Sequence, residues 1–493
     1  MPSFSHADDF LDTRITWTYA DDDVLTPTAE TAPPSPLPRV GDRDGLELFF
    51  DNLDTRYSGR ESVGHLVLSG RAPGYVERVS TEASLVALLV WRLETAEINL
   101  YDDGSFLRVA YALDESRPDD ELSLTLFPFT TNRFRLGYLY DLSWGDDAIF
   151  TNDAKEPAPG LKMQIDRGPW SAFVGMKTTI IAEPQEVVSG ESDVDLVTVD
   201  ETQYGALGGV GWEATPMLRL DLGGGYFQQG SFDQAGVRGL PMYTLGGSAR
   251  VVVHDGIDVG TSADFRLYRN DPDYPFALAA PEEYVPGKLS WALSVEGAWL
   301  EQHLEDPDAF GSTLLQPAPA AALQLRVKYG YNRIVLTGFF RSLEFLLRNV
   351  PSFVPRQGIP PEAEVEPDLF GAIAFDRHFP RTHLTPGFIV GVQLPATFTS
   401  ISPTGSLGAS RTLVIREEGD VDILPVGDDA VPIVGARANL RWDLSELLAG
   451  NLFVQYVHDA NATRLVADPS SGTRRIYSRQ DQLGAGLTVQ ARY

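Results

Sequence analysis

A chain of 493 residues with 69 acidic and 39 basic side chains carries a formal charge of -30, and a surface so acidic repels the phosphates of a nucleic acid. Cysteine is absent, which excludes disulfides, zinc-cysteine sites and thiol nucleophiles. No stretch approaches the roughly 18 apolar residues of a membrane helix, whereas a membrane strand needs only about 10 residues, half of them apolar.

The chain opens Met1-Pro2-Ser3-Phe4-Ser5-His6, without the basic start and apolar run of a secretory signal, and reads as a mature or truncated form. Segments alternating between apolar and polar residues then follow at 13–20, 44–50, 62–69, 82–94, 104–113, 120–127 and 133–142. They continue at 160–165, 169–181, 203–212, 216–227, 240–253, 257–268, 288–299, 318–329 and 333–341. The last are 366–376, 386–398, 406–416, 431–442, 451–458 and 483–493. These make 22 candidate strands, of which as many as four are open to removal by boundary errors.

Connections alternate between short and long. Asp166-Arg167-Gly168, Glu213-Ala214-Thr215 and His254-Asp255-Gly256 are tight turns, separated by the longer 182–202, 228–239 and 269–287. The Pro-rich 21–43, with Pro33-Pro34-Ser35-Pro36, belongs to an external loop or folds into a lumen. Two long connections, 300–317 and 342–365, fall on the nominal short-turn, periplasmic side, so either the strand count slips there or inward-folded elements occupy them. The segment 342–365 is read as a plug or periplasmic element, and residues 342–348 suit one short helix.

The final segment, Leu483-Gly484-Ala485-Gly486-Leu487-Thr488-Val489-Gln490-Ala491-Arg492-Tyr493, is apolar on odd positions and ends in an aromatic. Trp17, Tyr19, Trp91, Trp170, Trp212, Tyr226, Trp299, Tyr329, Trp442 and Tyr493 lie on the outward parity near segment ends, where interfacial girdles sit. In these features the chain resembles bacterial outer-membrane β-barrels of the porin-like or alginate-export-like channel kind. Their terminal insertion signal is matched in part: its usual glycine falls at Thr488, with Gly486 nearby, and position 491 is Ala. The resemblance implies an all-β, up-and-down antiparallel transmembrane β-barrel of 18 to 22 strands, one domain over 1–493. Its implied partners are outer-membrane lipid and the barrel-assembly machinery.

Acids crowd the expected loops, for example Asp21-Asp22-Asp23, Glu191 to Asp195 and Glu417-Glu418. Strand parity places bases inside instead: Arg14, Arg108, Arg133, Arg135, Lys177, Arg219, Arg250, Arg266, Arg326, Lys328, Arg333, Arg341, Arg437, Arg441 and Arg492. Inward acids are fewer, namely Glu47, Asp51, Asp141, Asp221, Asp258, Asp264 and Glu296. A net basic lumen is therefore expected, and such a lining attracts anions. The competing reading is that these arginines pair with acids and brace the wall, as Arg219 with Asp221 and Asp264 with Arg266 are placed to do.

Other chemistry is not signalled. The seven histidines show no zinc-ligand spacing, no nucleophile elbow, P-loop or dinucleotide fingerprint stands in its required context, and the His-Ser-Asn set of the outer-membrane phospholipase is missing. Gly223-Gly224-Gly225 lies inside an alternating segment, where glycine leaves lumen space or permits curvature. Asn270-Asp271-Pro272-Asp273 and Glu305-Asp306-Pro307-Asp308 lack the pattern of a calcium loop and read as solvated turns. No enzyme, cofactor, metal site or nucleic-acid partner is expected. Three functions stay open: a channel for small hydrophilic, preferably anionic, solutes; an export conduit for an anionic polysaccharide with a periplasmic export partner; and a barrel that anchors acidic loops as a surface adhesin or assembly component.

Overall fold

The computed structural model describes residues 10–21, 24, 60–93, 96–102, 104–114, 117–131, 134–139, 142–145, 157–189, 193–257, 259, 287–347, 357–361, 363–400, 411–415, 421–445, 447–468 and 472–492. Antiparallel strands wind round one axis in chain order. β1 (Phe10–Asp21), β2 (Arg60–Pro73) and β3 (Val79–Arg92) are followed by β4 (Glu97–Asp102) and β5 (Phe106–Asp114), which lie end to end along β3 as two halves of one strand. Next come β6 (Arg117–Phe127), β7 (Gly160–Arg167), β8 (Trp170–Ser189), β9 (Asp193–Thr215) and β10 (Leu218–Ser231). β11 (Pro241–Asp255), β12 (Leu289–Glu305), β13 (Thr313–Tyr329) and β14 (Asn332–Arg341) continue the wall, and the short helix α1 (Leu343–Leu347) follows. After β15 (Glu364–Glu366), the wall resumes with β16 (Asp368–Arg377) and β17 (Leu384–Leu394).

A small sheet of β15, β18 (Ala396–Ser400), β19 (Arg411–Ile415) and β20 (Val421–Ile423) stands apart from the wall. The wall is completed by β21 (Ile433–Asp443), β22 (Leu448–His458) and β25 (Asp481–Arg492), with the separate hairpin β23 (Thr463–Asp468) and β24 (Gly472–Tyr477) between the last two. β25 then pairs with β1, from Arg14 opposite Arg492 to Asp21 opposite Ala485. The described residues thus form a closed barrel of 18 strands, with β4 and β5 taken as one. Closure pairs the first wall strand with the last, so no described wall strand is a terminal edge of the sheet.

Period two sorts the side chains. In β17, buried and exposed positions alternate almost without fault, with Phe388, Val390 and Val392 outside and Thr385, Ile389 and Gln393 inside. Leucine, valine and isoleucine crowd the exterior all round, far more apolar surface than a water-facing protein exposes. Trp170, Trp212, Tyr329 and Trp442 ring the rim nearest the chain termini, where Trp170 and Trp212 stack at 5.0 Å. Trp17, Tyr19 and Trp91 lie towards the other rim. This is the girdle arrangement of a bilayer-spanning barrel.

Of the 22 alternating segments of the sequence, 18 lie in wall strands. Segment 44–50 falls outside the described residues, and β1 pairs directly with β2. Segment 257–268 is almost wholly outside them, but β11 pairs directly with β12, so it contributes no wall strand. Segment 406–416 supplies β19 to the small sheet, and β17 pairs directly with β21. The described residues of segment 133–142 form no strand: an isolated bridge joins Leu136 to Trp144, and β6 pairs directly with β7.

Removing 257–268 from the wall exchanges the ends of the connections that follow. The segment 342–365 therefore stands at the end opposite the termini, with the other long loops, and is not on the short-turn side. Residues 256–288 become the one long connection at the terminal end among those joining consecutive wall strands. The short helix expected in 342–348 is present as α1, whose Leu343, Leu346 and Leu347 pack with Ala396 and Ile415 of the small sheet. The Pro-rich 21–43 lies almost wholly outside the described residues.

Candidate functional site

The interior of the barrel is crossed by part of the connection between β6 and β7. Phe134, Leu136, Leu139, Leu142 and Trp144 are buried in one apolar cluster with Leu207, Phe227, Leu300, Phe339 and Phe370, all on inward-facing wall positions. Phe134 stacks on Phe127 at 5.5 Å, and Trp144 meets Phe227 edge-on at 5.4 Å while donating its indole N–H to the Ser248 hydroxyl at 2.8 Å. This strap, the described part of 128–145, enters beside β6 and reaches across to β12.

Glycines make room for it. A Cβ at Gly223 would stand 2.9 Å from Leu136 Cδ2, and one at Gly225 would stand 3.0 Å from Leu136 Cδ1. A Cβ at Gly175 would stand 2.3 Å from Phe134 Cζ. The glycine run read as lumen space is thus a seat for an inserted loop.

Two buried charges contact the strap through its backbone. Lys177 on β8 donates from Nζ to the carbonyls of Thr131 (2.9 Å), Phe134 (3.0 Å) and Gly145 (2.6 Å). Glu296 on β12 accepts from the amides of Tyr138 (2.9 Å) and Leu139 (2.8 Å). The Arg250 guanidinium lies 3.9 Å from the centre of the Tyr138 ring. Burial, and next the nearby Asp221 carboxylate, hold the Tyr138 phenol well above its ordinary pKa, so it stays protonated.

The bases expected inside are distributed as follows. Arg108 bridges Glu82 (3.4 Å) and Glu121; Arg219 meets Asp221 (2.9 Å) and Glu213 (3.1 Å); Arg250 meets Asp221 (2.6 Å). Arg333 meets Asp376 (2.7 Å), Arg341 donates from Nε to Asp368 (3.0 Å), and Arg441 meets Asp443 (2.6 Å). Lys177 serves the strap, and Arg437 lies 4.1 Å from the centre of the Phe453 ring. Arg326 and Lys328 stand on the inward parity of β13. Arg135 is buried in the strap and not on a wall strand. Arg14 and Arg492 face each other in the β1–β25 register, while Arg133 and Arg266 lie outside the described residues.

Of the pairings read from sequence, Arg219 with Asp221 is present, and Asp264 with Arg266 lies outside the described residues. Glu82, Glu121, Asp368 and Asp376 are inward acids that the sequence reading missed, although their parity marks them as plainly as it marks the bases. On the inner face of β13, β14, β16 and β21 stand Arg326, Lys328, Arg333, Arg341, Arg437 and Arg441, of which Arg333 pairs with Asp376, Arg341 with Asp368 and Arg441 with Asp443. A single register row carries Lys328, Arg333 and Asp376 on neighbouring strands.

No family model matches the chain, and no curated protein matches it. Among solved structures, it is similar to Pseudomonas aeruginosa OccK3 (OpdO), with a TM-score of 0.46 and 10% identity over 99% of this chain and 96% of that one. It is also similar to P. aeruginosa OccK2 (OpdF) in complex with glucuronate, with a TM-score of 0.45 and 8% identity over 99% and 98%. For P. aeruginosa OpdK with vanillate the values are 0.45 and 10%, over 99% of both chains. The fold of the present chain rests on its own strand register: it is an antiparallel β-barrel, closed by β1 on β25, with an apolar exterior and a loop strapped across its interior.

Proposed function

We propose that the protein is a porin-like channel of the bacterial outer membrane that passes small hydrophilic solutes, preferably anions. The observation that carries the reading is the division of one closed wall into a lipid-type exterior and an interior set with charged and amide side chains. A barrel that only had to anchor loops would need no such lining. The preference for anions is supported by the sector from β13 to β21, where six described bases share the inner face with three carboxylates, because charge beside a low-dielectric wall concentrates counter-ions. The strap fills part of the interior, which suits small solutes better than a polymer chain.

The test is reversal potential in planar bilayers under a salt gradient. Anion selectivity is expected for the native chain, falling towards unity in the Arg326→Gln/Lys328→Gln double variant. A sealed or cation-selective native barrel overturns the reading.

A further inference from the structure

Most of the strap's apolar side chains are seated, but the two charged contacts that hold it are of another kind. Lys177 grips carbonyls on both limbs of the loop, Thr131 and Phe134 where it enters and Gly145 where it leaves. Glu296 grips the consecutive amides of Tyr138 and Leu139 on the far side, with β9, β10 and β11 between the two anchors. Both side chains are nearly inaccessible, Lys177 at 2% exposure and Glu296 at 4%. Because both bind main chain, they fix the path of the loop whatever its side chains are. A buried cation ringed by carbonyls and a buried anion capping amides are also charge-assisted contacts, directional in a way that apolar packing is not.

We propose that Lys177 and Glu296 are positioning residues that clamp the strap to the inner wall between β8 and β12 and thereby set the width of the passage. The proposal rests on the channel reading for the word passage, but the clamp itself can be tested without it. With one anchor removed, the loop is held by the other anchor, the apolar seat and the Trp144–Ser248 hydrogen bond, and it then leaves the wall more often and uncovers the residues beneath it.

The native chain has no cysteine, so Leu139→Cys places a single thiol in the clamped stretch. In purified full-length barrels, its reaction with a charged methanethiosulfonate is expected to be slow. Adding Lys177→Met or Glu296→Ala should accelerate it at least tenfold and raise single-channel conductance severalfold, while Lys177→Arg, which keeps a donor cation, should restore the slow reaction. Heat-modifiable migration on gels identifies folded barrels, and Glu296→Gln replaces any variant that fails to fold. Unchanged labelling in folded barrels of both anchor variants overturns the clamp. Accelerated labelling in barrels that never conduct supports the clamp and overturns the channel reading.

Discussion

Arg333 and Asp376 meet at 2.7 Å on adjacent strands with 1% or less of either side chain exposed. Removing one partner strands a charge in a dry wall, and Asp376→Ala is expected to cost about 3–5 kcal/mol. The double variant Arg333→Met/Asp376→Leu should recover most of that loss, as read by urea unfolding of the barrel in lipid vesicles. Equal losses in the single and double variants would show that the pair itself, rather than the orphaned charge, matters. This pair also shows what was legible residue by residue. Parity along β14 marks Arg333 as inward, and parity along β16 marks Asp376 in the same way, but their meeting depends on the register between strands, which one sequence does not print. The net charge of the lumen was therefore harder to read than its list of bases.

At the scale of elements, alternation identified the wall strands and misjudged segment 133–142 for an instructive reason. Phe134, Leu136, Leu142 and Trp144 share one parity, as in a membrane strand, yet they face an apolar seat inside the barrel. Period two reports an extended segment with one apolar side, and does not say whether lipid or protein lies against it. The seat was legible only in outline, as glycines at Gly223 and Gly225. The hairpin of β8 and β9 offers a different test. β8 pairs with β7 only as far as Lys177, and β9 with β10 only as far as Gly205, while β8 and β9 stay paired to Ser189 opposite Asp193. Residues 178–189 add roughly 40 Å of strand at about 3.3 Å per residue, and their strand pairing is with β9. Replacing 183–199 with a two-residue Asn-Gly turn should leave heat-modifiability and thermal stability of the barrel unchanged within about 1 kcal/mol. Loss of the folded form would mean that the wall depends on the hairpin.

For the whole molecule, closure is the condition on which everything else stands. Deleting 481–493 would leave β22 and β1 each with a bare edge in the hydrocarbon, where every unsatisfied amide and carbonyl costs several kcal/mol. No heat-modifiable barrel is expected from that truncation, and recovery of one, for instance by β22 pairing directly with β1, would show that the wall tolerates one strand fewer. The negative charge of the chain and the bases of its interior are compatible because inner arginines pair with inner carboxylates such as Asp221, Asp368 and Asp376, while further acids such as Asp306 and Asp308 stand in rim turns.

The seam between β1 and β25 also bears on how the fold is reached in time. Thr18 and Thr488 share a hydrogen bond of 3.0 Å across 470 positions of chain. Drawing together a loop of that length costs on the order of 5 kcal/mol in chain entropy, and a hydrogen bond returns only about 0.5–1.5 kcal/mol. No single contact can nucleate the seam from an open chain, so the remaining strands must already have curved the sheet until its two edges nearly touch. Closure is then a late, collective event, and it sets the pace of folding for the whole ring.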